Sequence, residues 1–119
     1  MANQSQVELL QRSVRKWNAW RKRDPSLQPD LSLADLSGAV LLGTDLSGAD
    51  LRGANLFAAS LSSANLLRAD ISGAILSGAE DLTQEQLEEA NGDESTRLPS
   101  DLKPPSHWIG KTAEQTEGD

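Results

Sequence analysis

Leucine or isoleucine recurs at every fifth residue of this chain from residue 31 to residue 76, without a break. Alanine stands two residues earlier in eight of the ten pentads, and aspartate or asparagine stands between the two in seven of them. A repeat this strict indicates an architecture of stacked units. The positions expected to form the core are Leu31, Leu36, Leu41, Leu46, Leu51, Leu56, Leu61, Leu66, Ile71 and Leu76.

Neither a helix nor a straight strand accommodates a period of five. Apolar residues of a helix recur at spacings of three and four, and those of a strand alternate by two. The alanine and leucine of one pentad are two apart, so an extended backbone points both to the same side. Because five is odd, the chain must bend once per pentad to keep that side inward. Glycine tolerates the positive φ of tight turns. It stands after the leucine at Gly38, Gly43, Gly48, Gly53, Gly73 and Gly78.

The pattern Ala-(Asp/Asn)-Leu-X-X over residues 29–78 resembles the consensus of the pentapeptide-repeat family. The resemblance implies an all-β solenoid, a right-handed quadrilateral β-helix in which four pentads form the four sides of each coil. Ten pentads then give about 2.5 coils, a stack about 12 Å tall at ~4.8 Å per coil. The flanking stretches 14–21, 82–87 and 92–94 resemble those of small cyanobacterial members.

The leader, which is the segment of residues 1–28 before the repeat, predicts an amphipathic helix from about residue 4 to residue 22. Its apolar side holds Val7, Leu10, Val14, Trp17 and Trp20. A solenoid exposes its interior at each end, so we expect this helix to cap the first coil. The candidate basic surface on the opposite side, which could instead dock an acidic partner, consists of Arg12, Arg15, Lys16, Lys22 and Arg23.

The segment after the repeat divides into a second cap and a tail. Residues 79–92 break the register, and Thr83 with Gln86 resembles a capping box, which predicts a short helix at 84–91 that Gly92 ends. Residues 93–119 predict a Pro-containing strap, followed by a disordered acidic tail over 110–119. The strap's expected anchors are Leu98, Leu102 and Trp108.

The side chains that catalysis or metal binding requires are sparse. The chain has no cysteine, and its single histidine, His107, lies in the Pro-rich segment with no partner nearby in sequence. Asp30, Asp50 and Asp70 lie twenty apart and would stack on one side, which invites a metal-site reading. In the pentapeptide-repeat family, which this sequence resembles, this outward position accepts aspartate or asparagine alike. The stronger interpretation is therefore a row of side chains that are solvated or bonded to the backbone. We therefore expect no catalytic, cofactor-binding or metal-binding residues.

Charge and hydropathy constrain the location. Residues 1–28 carry six basic and two acidic side chains, whereas residues 79–119 carry eleven acidic and three basic ones. No apolar stretch is long enough to span a membrane, and the first residues do not form a signal peptide. These features predict a cytoplasmic protein.

Apolar side chains also occupy positions that the repeat sends outward. Phe57 and Ile75 fall on one side, one coil apart, and Val40 and Leu42 fall on the neighbouring side. Exposed apolar groups of this size mark interaction surfaces, unless the leader or the strap covers them. The candidate protein-binding surface consists of Phe57, Ile75, Val40, Leu42 and Leu67.

The favoured function is therefore a non-enzymatic structural or adaptor module that binds another protein through a solenoid side or its caps. The sequence leaves the partner and the oligomeric state open. A first alternative comes from the family resembled, some of whose members act as acidic mimics of DNA on gyrase. A stack of about 12 Å is shorter than four base-pair steps of DNA, which weighs against it. A second alternative is nucleic-acid or membrane binding by the basic leader.

Overall fold

Parallel backbone pairing with a period of twenty residues organises the chain. In the computed structural model, which describes residues 2–109, the β structure consists of isolated one-residue bridges rather than continuous strands. Seven successive bridges join residues twenty apart, from Asp30–Asp50 to Ser60–Glu80. Four pentads therefore complete one turn of the chain. We number the four sides by their first-coil pentads, with side 1 at 29–33, side 2 at 34–38, side 3 at 39–43 and side 4 at 44–48.

The core is a stack of leucines lined by alanines. Each of the ten leucine and isoleucine positions of the repeat is at most 1% exposed. Six of the eight repeat alanines are also buried to 4% exposure or less, and Ala34 to 7%. Burying one leucine stabilises a fold by about 1.5–3 kcal/mol, so the row as a whole is the dominant favourable contribution.

The fifth residue of every pentad has a positive φ. Six of these residues are glycines, with φ between 64° and 71°. Four others reach φ of 60–62° despite carrying a side chain, and they are Leu33, Ala58, Ser63 and Arg68. The turn geometry is therefore imposed by the coil, and glycine only makes it less costly.

The segment before the repeat forms two helices, not the single helix expected over 4–22. Helix α1 spans Gln4–Arg12 and helix α2 spans Val14–Arg23. Ser13 separates them in an extended conformation, and its hydroxyl accepts a hydrogen bond from Lys16 N at 3.0 Å. The break is a serine N-cap, which competes with continuation of α1. Val7, Leu10 and Trp17 are buried, and Val14 and Trp20 are partly buried.

Backbone pairing continues beyond the sequence repeat. Asp70 pairs with Asn91 and Ile75 pairs with Arg97, so sides 1 and 2, which have three layers within the repeat, gain a fourth layer after residue 78. Helix α3, Gln84–Glu89, occupies side 4 of the third layer in place of a pentad, and its N-terminus has the expected capping box. It is shorter than the predicted 84–91. A 3-10 helix follows at Ser106–Trp108.

Gly92 does not end the helix as the sequence suggested, because α3 ends three residues earlier. Its φ is not positive, and a Cβ at this position would lie 2.9 Å from the indole carbons of Trp108. Gly92 holds the place where a pentad would carry leucine, and Trp108, only 1% exposed, packs against it. Leu98 and Leu102 are partly buried against the core. The expected disorder of residues 110–119 falls outside the described residues.

No helix within residues 2–109 is both long enough and apolar enough to cross a membrane.

Candidate protein-binding surface

The aspartates and asparagines of the repeat bond to the backbone of their own pentads. Oδ1 of Asp30 accepts from the backbone N–H of Ser32 at 3.1 Å and from its hydroxyl at 2.7 Å. Asn55 accepts in the same way from Phe57 N at 3.0 Å. These are Asx turns, which local aspartate and asparagine side chains form equally well. The hydrogen bonds from Ser32 lower the pKa of Asp30 below its usual value.

The row of Asp30, Asp50 and Asp70 does not form a metal site in the described part of the chain. No group of three potential ligands of the right kind occurs among residues 2–109. Asp50 instead binds the guanidinium of Arg52 through both carboxylate oxygens, at 2.8 Å each. This pair holds the pKa of Asp50 below its usual value. The aspartates of this row thus stabilise their own turns, and Arg52 places a positive charge within the row.

The leader supplies hydrogen bonds to the lower edge of the first coil, which is the edge that faces away from the second coil. On side 1, Asp30 N donates to Gln6 Oε1 at 2.8 Å and Asp30 O accepts from Asn3 N at 2.8 Å. On side 4, Asp45 N donates to Asn18 Oδ1 at 2.9 Å and Asp45 O accepts from Trp17 Nε1 at 2.9 Å. The helices thus replace, on these two sides, the bonds that another coil would make.

Arg21 completes that contact, and the sequence analysis overlooked it. Its guanidinium donates to Asp45 O at 3.1 Å and to Ser47 O at 2.8 Å, and the side chain is only 5% exposed. The available signal was its spacing of four from Trp17, which places both residues on the same face of α2. The five predicted basic residues, by contrast, are all exposed.

At the opposite end, α3 and the 3-10 helix make comparable contacts. The buried Gln86 donates through Nε2 to Leu61 O at 2.8 Å and to Ala64 O at 2.9 Å. Trp108 Nε1 donates to Ala90 O at 3.0 Å, and His107 Nε2 lies 3.0 Å from the same oxygen. His107 therefore contributes to the packing of this end, and it is the only histidine of the chain.

Four of the five candidate surface residues are exposed. Val40 is 65% exposed, Leu42 and Phe57 are each 52% exposed and Leu67 is 42% exposed. Ile75 is half-buried because Arg97 pairs above it in the fourth layer. The structure therefore does not leave Phe57 and Ile75 as an equally exposed pair on side 2. The most exposed residue of the candidate surface, Val40, lies on side 3.

Comparison with known proteins bears on the repeat. A family model for pentapeptide repeats matches residues 30–56 and 57–78, with eight copies. No curated protein sequence matches the chain. A pentapeptide-repeat protein, Rfr23, of the cyanobacterium Cyanothece 51142 shares 36% identity over 58% of this chain, with a TM-score of 0.35. This chain spans only 53% of the length of that protein.

Two further solved structures are similar over part of the chain. A pentapeptide-repeat protein of Nostoc Pcc 7120 shares 31% identity over 66% of this chain and 83% of its own, with a TM-score of 0.28. A pentapeptide-repeat protein from the thylakoid lumen of Arabidopsis thaliana shares 27% identity over 70% of this chain and 61% of its own, with a TM-score of 0.26. Superpositions this limited carry no argument about the arrangement of the coils. The eight matched copies and the unbroken leucine row show that the chain belongs to the pentapeptide-repeat family, whose fold is a right-handed β-helix.

Proposed function

We propose that this protein is a non-enzymatic adaptor that binds another protein through an outer side of its solenoid. The observation that carries the proposal is the outward placement of large apolar side chains on a scaffold whose repeat leucines are buried. Val40, Leu42 and Phe57 are each more than half exposed, whereas every leucine beneath them is buried. Apolar groups held outward in this way cost solubility and are typical of interaction surfaces.

Contacts at both ends support a role for the sides. We infer that α1 and α2 cap the first coil and that α3 with Trp108 caps the last. The support is the set of hydrogen bonds from Trp17, Arg21 and Gln86 to backbone carbonyls at the two ends. With much of each end covered by the chain's own segments, the outer sides remain as surfaces for a partner.

The aspartates of the repeat argue against a catalytic role. The carboxylates of Asp30, Asp35 and Asp50 accept hydrogen bonds from their own turns, which keeps their pKa values low. A general acid needs the opposite shift, toward neutral pH. Nothing in this arrangement poises a proton for transfer, which favours binding over catalysis.

Cross-linked capture from the native cells, followed by mass spectrometry, tests the proposal. We expect one dominant partner, recovered less with Phe57→Asp or Leu42→Asp. The matched control is Ser100→Asp, which adds the same charge at an exposed polar position. Capture of the same partner by all three variants would contradict binding through these sides. Inhibition of gyrase supercoiling by the purified chain would instead favour the DNA-mimic alternative.

A further inference from the structure

Val40 presents an unpaired β edge at the lower rim of side 3. Ala39 O accepts from Ser60 N at 2.9 Å, and Leu41 N donates to Ser60 O at 2.9 Å, so both groups point up to the second coil. Successive residues of an extended chain direct their backbone groups to alternate neighbours. The N–H and C=O of Val40 therefore point downward, away from the stack. No residue within 2–109 bonds to either of them.

The other three sides of the first coil are served by the leader. Asp30 and Asp45 have both backbone groups bonded, as described above, and Asp35 O accepts from Gln11 Nε2 at 3.2 Å. The next leader bond along the coil is that of Asn18 Nδ2 to Gly43 O at 3.1 Å. Val40 lies between these last two bonds. Side 3 is thus the position at which the leader leaves the edge open.

A shallow groove runs beside this edge. It lies between the end of α1, at Leu10 and Gln11, and the pentad that contains Ala39 and Val40. Leu10 is only 1% exposed and contributes little surface to the groove, whereas the Val40 side chain stands 65% exposed at its rim. An added strand would therefore find backbone partners at the edge and the apolar Val40 side chain beside them.

The leader segment that passes side 3 is positively charged. Between its bonds at Gln11 and Asn18 it carries Arg12 and Arg15, both exposed, whereas Lys16 lines a separate pocket with Trp20 and Arg23. No acidic residue lies between them in sequence. Complementary charge steers a flexible segment toward its site and selects against segments of the wrong sign.

We propose that side 3 receives an extended acidic peptide segment of a partner protein, which adds to the Val40 edge as a strand. The peptide backbone bonds to Val40 N–H and C=O, its apolar side chains contact the Val40 side chain, and its carboxylates pair with Arg12 and Arg15. This is β-augmentation, in which main-chain bonds supply affinity and side chains supply specificity. The inference rests on the proposed adaptor function and specifies the partner's chemistry.

The test uses a fluorescein-labelled peptide of about eight residues, an ordinary strand length, in which Val and Thr alternate between acidic ends. We expect saturable binding by the full chain that weakens as salt rises, and no binding of the same peptide with Lys in place of the acidic residues. Amide exchange at Val40, fast in the free protein, should slow when the peptide is added.

Two sets of variants separate the components. Val40→Pro removes the N–H, a change that an edge residue tolerates, and should weaken binding about fivefold or more. Val40→Thr keeps the N–H and the branched shape and should bind within about twofold of wild type. Reversal of Arg12 and Arg15 to Glu should abolish binding. Reversal of Lys16 and Arg23, equally exposed but lining a separate pocket, should leave binding within about twofold. Circular dichroism confirms that each variant folds.

The outcomes distinguish this inference from the proposed function. Absence of peptide binding, or equal binding by folded Val40→Pro, overturns the strand-addition inference. If a cellular partner is still lost with Phe57→Asp, the adaptor function stands without it. If the peptide binds at Val40 while Phe57→Asp changes nothing, the docking surface is side 3 alone.

Discussion

The corner between sides 2 and 3 offers a reciprocal test of how the turns of this solenoid are stabilised. Gly38 and Ala58 occupy equivalent positions in successive coils, with φ of 69° and 60°. A non-glycine residue in this left-handed region costs about 1–2 kcal/mol. Glycine in turn loses about 0.5–1 kcal/mol through the greater freedom of its unfolded chain. The strain is the larger of the two effects, so glycine should win at both positions.

We therefore expect Gly38→Ala to lower the free energy of unfolding by about 0.5–1 kcal/mol and Ala58→Gly to raise it by a similar amount. No heavy atom lies within 4 Å of a Cβ built on Gly38, so the alanine brings strain without a clash. The same clearance means that the two changes do not touch each other. The double variant should therefore return close to wild-type stability.

Urea unfolding provides the measurement, followed by far-ultraviolet circular dichroism and by tryptophan fluorescence. Trp17, Trp20 and Trp108 all lie in the end segments, whereas circular dichroism reports on the whole chain. Coincident transitions indicate a single cooperative unit, and a shifted midpoint with unchanged slope indicates a change in stability alone. A neutral Gly38→Ala, or an Ala58→Gly that destabilises, would refute the argument that backbone strain dominates at this corner.

Three further perturbations address the ends and the turns. Gly92→Ala places a Cβ 2.9 Å from the buried indole of Trp108, so it should cost about 1–3 kcal/mol by overpacking, and a parallel Trp108→Leu change should recover part of that loss in urea unfolding. Arg21→Met leaves the carbonyl of Ser47 without its guanidinium donor and should cost about 1.5–3 kcal/mol, whereas the exposed Lys22→Met should stay within about 0.5 kcal/mol in the same assay. The pKa of Asp50 is lower in the folded chain than its ordinary value of 3.8, so its ionised form stabilises the fold above that pH, and this contribution is lost as the pH falls below about 4. Asp50→Asn keeps the turn but not the charge, and should reduce the fall in melting temperature between pH 5 and pH 3; an unchanged fall would contradict this assignment.

Features that repeat along the chain were predictable from the sequence. The spacing of five identifies the inward rows because alanine and leucine two apart must share a face of an extended backbone. The glycines at the fifth position indicate where the chain bends, and their replacement in four pentads did not obscure the register. The capping box at Thr83 and Gln86 is equally local, and the structure has both of its hydrogen bonds.

The tertiary structure decided what happens where the repeat stops. Asn91 and Arg97 continue the pairing at offsets of 21 and 22 residues, because the segment that contains α3 adds one residue and the segment from Asn91 to Arg97 adds another. The contact of Trp108 with Gly92, and that of Arg21 with Ser47, join segments whose separation carries no periodic signal. The open edge at Val40 depends on which carbonyls the leader happens to reach. A short-range pattern determines local backbone geometry, whereas contacts between non-repeating segments depend on the path that the whole chain takes.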